Sequence, residues 1–290
     1  MENTMKPTIS MILRKHPVTF QKLTGLAIEK YEELLHGLTP LYNEAEEKRL
    51  YKPNRQRVRG GGRKQELSLE DKLIMLLMYY RLYITHELLG FIFKLHNSNV
   101  SRHINQLQPL LGKVFRIPTQ RITLLEVDLT EEQFIDLFID ATEQQIQRPH
   151  RKQKLYYSGK KKKHTLKNQV VVNARGKILS VSKSHPGATH DKKLYTKTHV
   201  YTTTKSKPIA DLGYFGVTTL QLPFKKPKGK ELSKSQKQYN KQLAKRRIII
   251  EHIIGKMKIF QILVQTFRNP LSKHSLIFKN VAGIHNLMFA

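Results

Sequence analysis

The 290-residue sequence contains no cysteine. That excludes disulfides, zinc-thiolate sites and thiol nucleophiles, and it suits a reducing cytosol or nucleoid. Long apolar runs are missing too. The longest, residues 73–80, is less than half of the roughly 20 residues a spanning helix needs. The N-terminus shows no charged-then-apolar signal pattern, so a soluble cytoplasmic, nucleoid-associated protein is expected. The third scarcity is the most informative. Past Glu143 the chain almost stops using acids: residues 144–290 hold 32 Lys and Arg against Asp191, Asp211, Glu231 and Glu251. That stretch therefore carries +28 of the net +30, and residues 1–143 carry only +2. A surface so basic suits a polyanion, above all nucleic acid. The few carboxylates left within it are the first places to look for a bound metal.

At 39% apolar residues the chain can build a substantial core, and its length favours two domains or one domain plus a helical module. Residues 17–50 carry apolar positions at helical spacing, punctuated by Gly37 and Pro40, which predicts short helices. Residues 52–65 hold six Lys or Arg and three consecutive glycines, the composition of a basic flexible linker. Ser68, followed by Glu70 and Asp71, opens a helix over the apolar run that ends at Tyr83. Thr85 is placed to cap a helix over 86–93, and Ser98 a third over about 99–111. Two helices, a short turn and a polar third helix describe a helix-turn-helix. Ser98, Asn99, Ser101, Arg102 and Asn105 would then face a DNA groove, with Val100, Ile104 and Leu107 in the core. A small bundle with an ordinary polar face fits the same pattern.

From Ile122 the period changes. An apolar strand over 134–140 ends in Asp140, a hairpin joins 167–172 to 177–183 through residues 173–176, and 190–199 reads as helix. A brief strand over 207–210 leads to Asp211, and a long, final helix over about 235–261 carries Glu251. This order predicts an α/β domain over 125–290, a mixed sheet flanked by helices, after an all-α segment (1–51) and the helix-turn-helix module (66–118). Acids at the ends of neighbouring strands converge on one crevice. Asp140, Asp211 and Glu251 brought together would repel, and hard oxygen ligands select Mg²⁺ or Mn²⁺ to offset that charge. Two such ions can hold the attacking and leaving oxygens of a phosphodiester. The alternative is that each acid caps a helix or pairs with a lysine. Asp191 is open to the same two readings, ligand or first-turn cap. Arg247, Glu251 and Lys258 share one helix face, either as a salt-bridged stripe or as a metal ligand between two phosphate-binding cations.

Several segments resemble the DDE superfamily endonuclease domain of insertion-sequence transposases and their Harbinger-type relatives. They are Asp140-Ala141-Thr142-Glu143, Ile146-Gln147-Arg148-Pro149, Tyr156-Tyr157-Ser158-Gly159-Lys160-Lys161, Pro186-Gly187-Ala188-Thr189-His190-Asp191 and Ala210-Asp211-Leu212-Gly213-Tyr214. Arg247-x₃-Glu251-x₆-Lys258 is similar to the Tyr-x₂-Arg-x₃-Glu-x₆-Lys signature of related transposases, with Ala244 at the tyrosine position. The resemblance implies a ribonuclease H-like fold, catalytic Asp140, Asp211 and Glu251, and two divalent ions held by these with Asp191. It implies metal-dependent cleavage at transposon ends and strand transfer into target DNA. The implied partners are double-stranded DNA, as terminal inverted repeats and target, and a second copy in a homodimer. Arg148, Lys160, Lys161, Arg247 and Lys258 would hold backbone, as would the basic segments 148–167 and 225–247 as a whole. A DNA-binding protein without catalysis, or an RNA-directed nuclease of the same fold, is the competing expectation.

Overall fold

The computed structural model describes residues 7–51, 67–119, 122–124, 136–198, 200–202 and 207–289. The basic linker over 52–65 and the start of the strand expected over 134–140 lie outside them. The chain divides into two compact units, residues 1–116 with 260–262 and residues 117–259 with 263–290.

The first unit is helical: α1 (Ile9–Arg14), α2 (Pro17–Thr24), α3 (Ile28–Leu50), α4 (Leu69–Leu82), α5 (His86–Phe93) and α6 (Asn97–Phe115). Ser68 and Thr85 cap α4 and α5 as expected, accepting from the amides of Asp71 and Leu88. Residues 73–80, the longest apolar run, are buried around the whole circumference of α4, which makes that helix the centre of the bundle. Two charged residues enter this interior with partners. The Ser10 amide donates to Asp71 Oδ1 at 2.8 Å, and Lys72 Nζ donates to the Tyr42 hydroxyl at 2.7 Å. Gly37 and Pro40 do not break α3. Burial of Tyr31, Leu34, Leu38 and Tyr42 along one face carries the helix through both. Ser98 is not the cap of α6. The helix starts at Asn97, and the His96 ring accepts the Ser98 amide instead.

The second unit is a mixed α/β structure. A parallel pair, β1 (Ile122–Leu124) with β7 (Val200–Thr202), stands apart from a five-stranded antiparallel sheet. In that sheet β2 (Leu137–Gln145) pairs along its length with β4 (Lys163–Asn173), and β3 (Tyr157–Ser158), β5 (Ile178–Val181) and β6 (His185–Pro186) also pair with β4. The expected hairpin is present between β4 and β5, with Gly176 at φ +83°. The helices are α7 (Gln153–Tyr156), α8 (Asp191–Thr198), α9 (Lys234–Met257) and α10 (His274–Met288). Leu137, Ile139, Val171, Tyr195, Ala210, Tyr214 and Leu220 form one core cluster, in which Ile139 and Ala210 directly precede Asp140 and Asp211. The helix that carries Glu251 is not the last one: α9 packs on β2, and α10 follows it and packs on β5. Among the described residues no helix is long and apolar enough to cross a membrane.

Candidate active site

Asp140 lies in the middle of β2 rather than at its end, because the strand continues in register with β4 as far as Gln145. The strand expected over 207–210 shrinks to a single bridging residue. Ile209 N donates to Leu137 O at 2.7 Å, and Ile139 N donates to Ile209 O at 2.9 Å. That parallel bridge, just before Asp140 on β2 and two residues before Asp211, brings the two aspartates to one place. Asp211 then caps a tight turn, its Oδ1 accepting the Gly213 amide at 2.9 Å. Asp191 is the first residue of α8 and enters from the third side.

The convergence is visible at Gly213. A Cβ there would stand 2.5 Å from Asp191 Oδ2 and 2.9 Å from Asp211 Oδ1, so any side chain would collide with both carboxylates. Asp140 feels the same crowding. Burial pushes its carboxyl up to about 6; its own bond from the Ala141 amide and Arg247 oppose the rise, while Asp211 and Asp191 add to it. Tyr214, fully buried beneath, has its hydroxyl pushed far above the ordinary phenol range by burial and then by the three aspartates. Its oxygen has no hydrogen-bond partner.

The acids differ in what holds them. Asp140 and Asp211 take backbone amides, Ala141 N at 2.7 Å and Gly213 N at 2.9 Å, and neither pairs with a Lys or Arg among the described residues. Asp191 does not cap α8. Its Oδ1 accepts from Lys167 Nζ at 2.9 Å, and the same ammonium reaches Thr189 O at 2.8 Å and Glu143 Oε1 at 3.3 Å. Glu251 stands apart on an outward face of α9, its side chain 60% exposed, with Arg247 at 4.0 Å as its ion-pair partner. Arg247 faces both ways, since its charge also lowers Asp140. Lys258, at the C-cap of α9, is held below its usual pKa by desolvation and by Lys161, against a pull from Asp140. The structure thus gathers Asp140, Asp191, Asp211, Arg247, Lys161 and Lys258, and leaves Glu251 on the rim.

The remaining candidates are exposed or half-exposed. Lys160 shares the β3–β4 turn with Lys161, and Arg148 donates to Gln153 Oε1 at 3.0 Å. On α6, Arg102 and Asn105 are exposed, while Ser98, Asn99 and Ser101 are partly covered. Arg102 donates to Asn99 Oδ1 at 2.7 Å, and Val100, Ile104 and Leu107 are buried below. The sequence reading missed Lys167 and Glu143. They pair directly across β2 and β4, but the strand register that makes them neighbours is invisible in one-dimensional spacing.

Among the described residues no three His, Asp or Glu side chains already stand at metal-ligating spacing. The donor chemistry nevertheless fits a hard divalent cation. The donors are all carboxylate oxygens, two of them unpaired with cations, above a buried phenol oxygen that lacks a partner.

Residues 139–286 match the family described as the DDE superfamily endonuclease, and residues 65–117 match the helix-turn-helix of that superfamily. The chain is 32% identical over 277 residues to the "Probable transposase for insertion sequence element IS702" of Microchaete diplosiphon, which covers 93% of this chain and 94% of that protein. It is 26% identical over 229 residues to the "Putative transposase for insertion sequence element IS112" of Streptomyces albus G, 78% of this chain and 82% of that one. No solved structure matches. With its helix-turn-helix ahead of an endonuclease region that spans the gathered aspartates, this chain belongs to the DDE superfamily endonucleases.

Proposed function

We propose that the chain is an insertion-sequence transposase that cuts DNA at transposon ends and joins them to target DNA. The observation that carries this reading is the pair Asp140 and Asp211, left without lysine or arginine partners beside and within a stretch where cations outnumber acids 32 to four. Carboxylates left so, and crowded by Asp191, are stabilised by an added divalent ion. DDE superfamily endonucleases generally use divalent metals. Asp140, Asp191 and Asp211 would hold two ions, Mg²⁺ or Mn²⁺, with Glu251 joining from α9. Bound there, such ions supply charge neutralisation at the phosphodiester and a more acidic water.

The chain's own groups do the rest. Arg247, Lys258 and Lys161 hold backbone phosphates beside the acids, and Arg148 and Lys160 extend that grip. Water is the first nucleophile and frees a 3′-hydroxyl, which in turn attacks target DNA, so no covalent enzyme intermediate and no ATP are needed. On α6, Ser98, Asn99, Ser101, Arg102 and Asn105 read base edges of the terminal inverted repeat. We read the sheet unit as ribonuclease H-like and the synaptic form as a homodimer, because two DNA ends must be joined.

A second reading, DNA binding without cleavage, draws support from the outward Glu251 and the absence of a ready three-acid cluster among the described residues. Nicking of a supercoiled plasmid with Mg²⁺ separates the two. Asp140→Asn and Asp211→Asn are expected to abolish nicking while leaving the gel shift of terminal-repeat DNA unchanged. Normal nicking by both variants ends the catalytic assignment. A wild-type protein that shifts DNA but never nicks it favours the binder.

A further inference from the structure

The turn that follows Asp211 puts two apolar side chains into solvent, Leu212 at 42% and Phe215 at 55% exposure. Single exposed apolar residues are ordinary, but the surroundings of Phe215 are not. Its ring shares an open depression with Gly213, His190, Lys192, Lys193, Thr196 and Lys197, a lining with three lysines and no carboxylate. Lys225 Nζ lies 5.0 Å over the ring centroid. Lys192 is drawn in across the turn as well, its ammonium only 2.7 Å from where a Cβ on Gly216 would stand. Gly213 is also the residue against which Asp191 and Asp211 converge, so the depression borders the proposed cutting site.

We infer that Phe215, with Lys192, Lys193, Lys197 and Lys225, forms a stacking subsite for an unpaired DNA nucleotide next to the cleaved phosphate. The inference rests on the nuclease reading for the word "cleaved", and on geometry alone for the subsite. An aromatic plane among cations matches a nucleotide in both its parts, with the base on the ring and the phosphate on the ammonium groups. Inside a duplex both faces of a base are covered by its neighbours, so only a strand end or an unstacked base can use the ring. A second copy of this chain is a poor occupant. Its basic region offers four acids against 32 cations, and those of this depression would meet repulsion.

The chain contains no tryptophan, so Phe215→Trp places a single indole at the subsite, excited selectively over the tyrosines at the red edge of its absorption. The full-length variant is titrated, with metal chelated so that nothing is cut, against a short oligothymidylate and against an abasic oligomer of the same length. Emission from the introduced indole is expected to be quenched by the first and not by the second. In parallel, Phe215→Ala is expected to weaken oligothymidylate binding about 5- to 100-fold while binding of the abasic oligomer is unchanged. Unaltered thermal melting, as an exposed side chain predicts, confirms that the alanine variant is folded. Equal quenching by both oligomers, no quenching by either, or a loss of self-association in place of oligonucleotide affinity overturns the subsite. Plasmid nicking by the wild type is scored separately. A protein that never nicks but still shows base-dependent quenching retains the subsite and loses only the nuclease.

Discussion

The two units of this chain handle charge in opposite ways. In the helical unit cations meet acids locally: Arg14 with Glu32 and Glu70, Lys30 with Glu33, Lys48 with Glu44, Arg49 with Glu46. Such exposed pairs contribute little stability each, but they offset much of the charge of a unit whose residues 1–116 hold 19 Lys and Arg against 11 acids. The sheet unit holds the same number of acids against 33 Lys and Arg, and past Glu143 only four of them remain. Glu231 is held by Lys226 and Lys237, Glu251 by Arg247 and Asp191 by Lys167, while Asp211 takes only a backbone amide. The lesson is that scarcity gives each remaining carboxylate a traceable duty. An excess of cations with no internal counter-charge has to be neutralised from outside, by phosphate.

Salt titration gives the largest test of that contrast. If roughly six to ten phosphates are neutralised, DNA affinity should fall about 10³- to 10⁵-fold between about 50 and 200 mM salt. Replacing Lys160 and Lys161 by Gln should reduce the log–log slope by about two. Replacing Lys30 and Lys48, which already face Glu33 and Glu44, should leave it unchanged. Equal changes from both pairs would show that local pairing does not decide which cations meet DNA.

Lys167 sharpens the comparison, because it is a sheet-unit cation that is fully engaged. Lys167→Met keeps the stem and removes the ammonium shared by Glu143, Asp191 and the Thr189 carbonyl. It leaves Glu143, whose side chain is 7% exposed, without its cation. Breaking a buried pair in this way costs about 3–5 kcal/mol, read as a lower midpoint in urea melts. Since Lys167 also orients Asp191, the Mg²⁺ concentration needed for half-maximal nicking should rise about 10- to 100-fold, with DNA binding in chelator unaltered. Glu143→Gln added to Lys167→Met should recover stability but not Mg²⁺ affinity. An unchanged Mg²⁺ titration would reduce Lys167 to a structural strut.

Much of this was legible in the sequence where local chemistry decides. Ser68 and Thr85 as caps, 86–93 as helix, the Gly176 hairpin, and Val100, Ile104 and Leu107 as core all follow from side-chain type and period. What needed the third dimension failed or was missed. Gly37 and Pro40 should punctuate α3, yet packing of its buried face overrides both. The sequence alone ends a strand at Asp140, because nothing in it shows that β4 supplies partners for five more residues. Helical arithmetic placed Arg247, Glu251 and Lys258 on one face, but it could not say that Arg247 turns inward while Glu251 turns to solvent. The Glu143–Lys167 pair depends on register, which single-chain spacing does not encode.

The smallest expected effect concerns acid and the buried histidines of the sheet unit. His274 in α10 donates from Nε2 to Gln144 Oε1 at 2.9 Å, and its Nδ1 accepts from Ser184 Oγ at 2.7 Å. Burial holds its pKa at about 4, and burial brings His285 on the same helix to about 4. A histidine depressed in the folded state binds fewer protons than in the unfolded chain, so its neutral form stabilises above about pH 6.5. That stability is lost as pH falls from about 6.5 through about 4, by on the order of 3 kcal/mol for His274. Asp140 works in the opposite sense. Its carboxyl, raised to about 6, takes up a proton more readily when folded, and the sheet unit gains stability as pH falls through that value. Urea melts of wild type and His274→Phe between about pH 7 and 4 isolate the first contribution. The variant starts less stable, having lost both ring hydrogen bonds, but its stability should decline less steeply with acid. Parallel slopes would mean that His274 does not contribute to the acid sensitivity of the sheet unit.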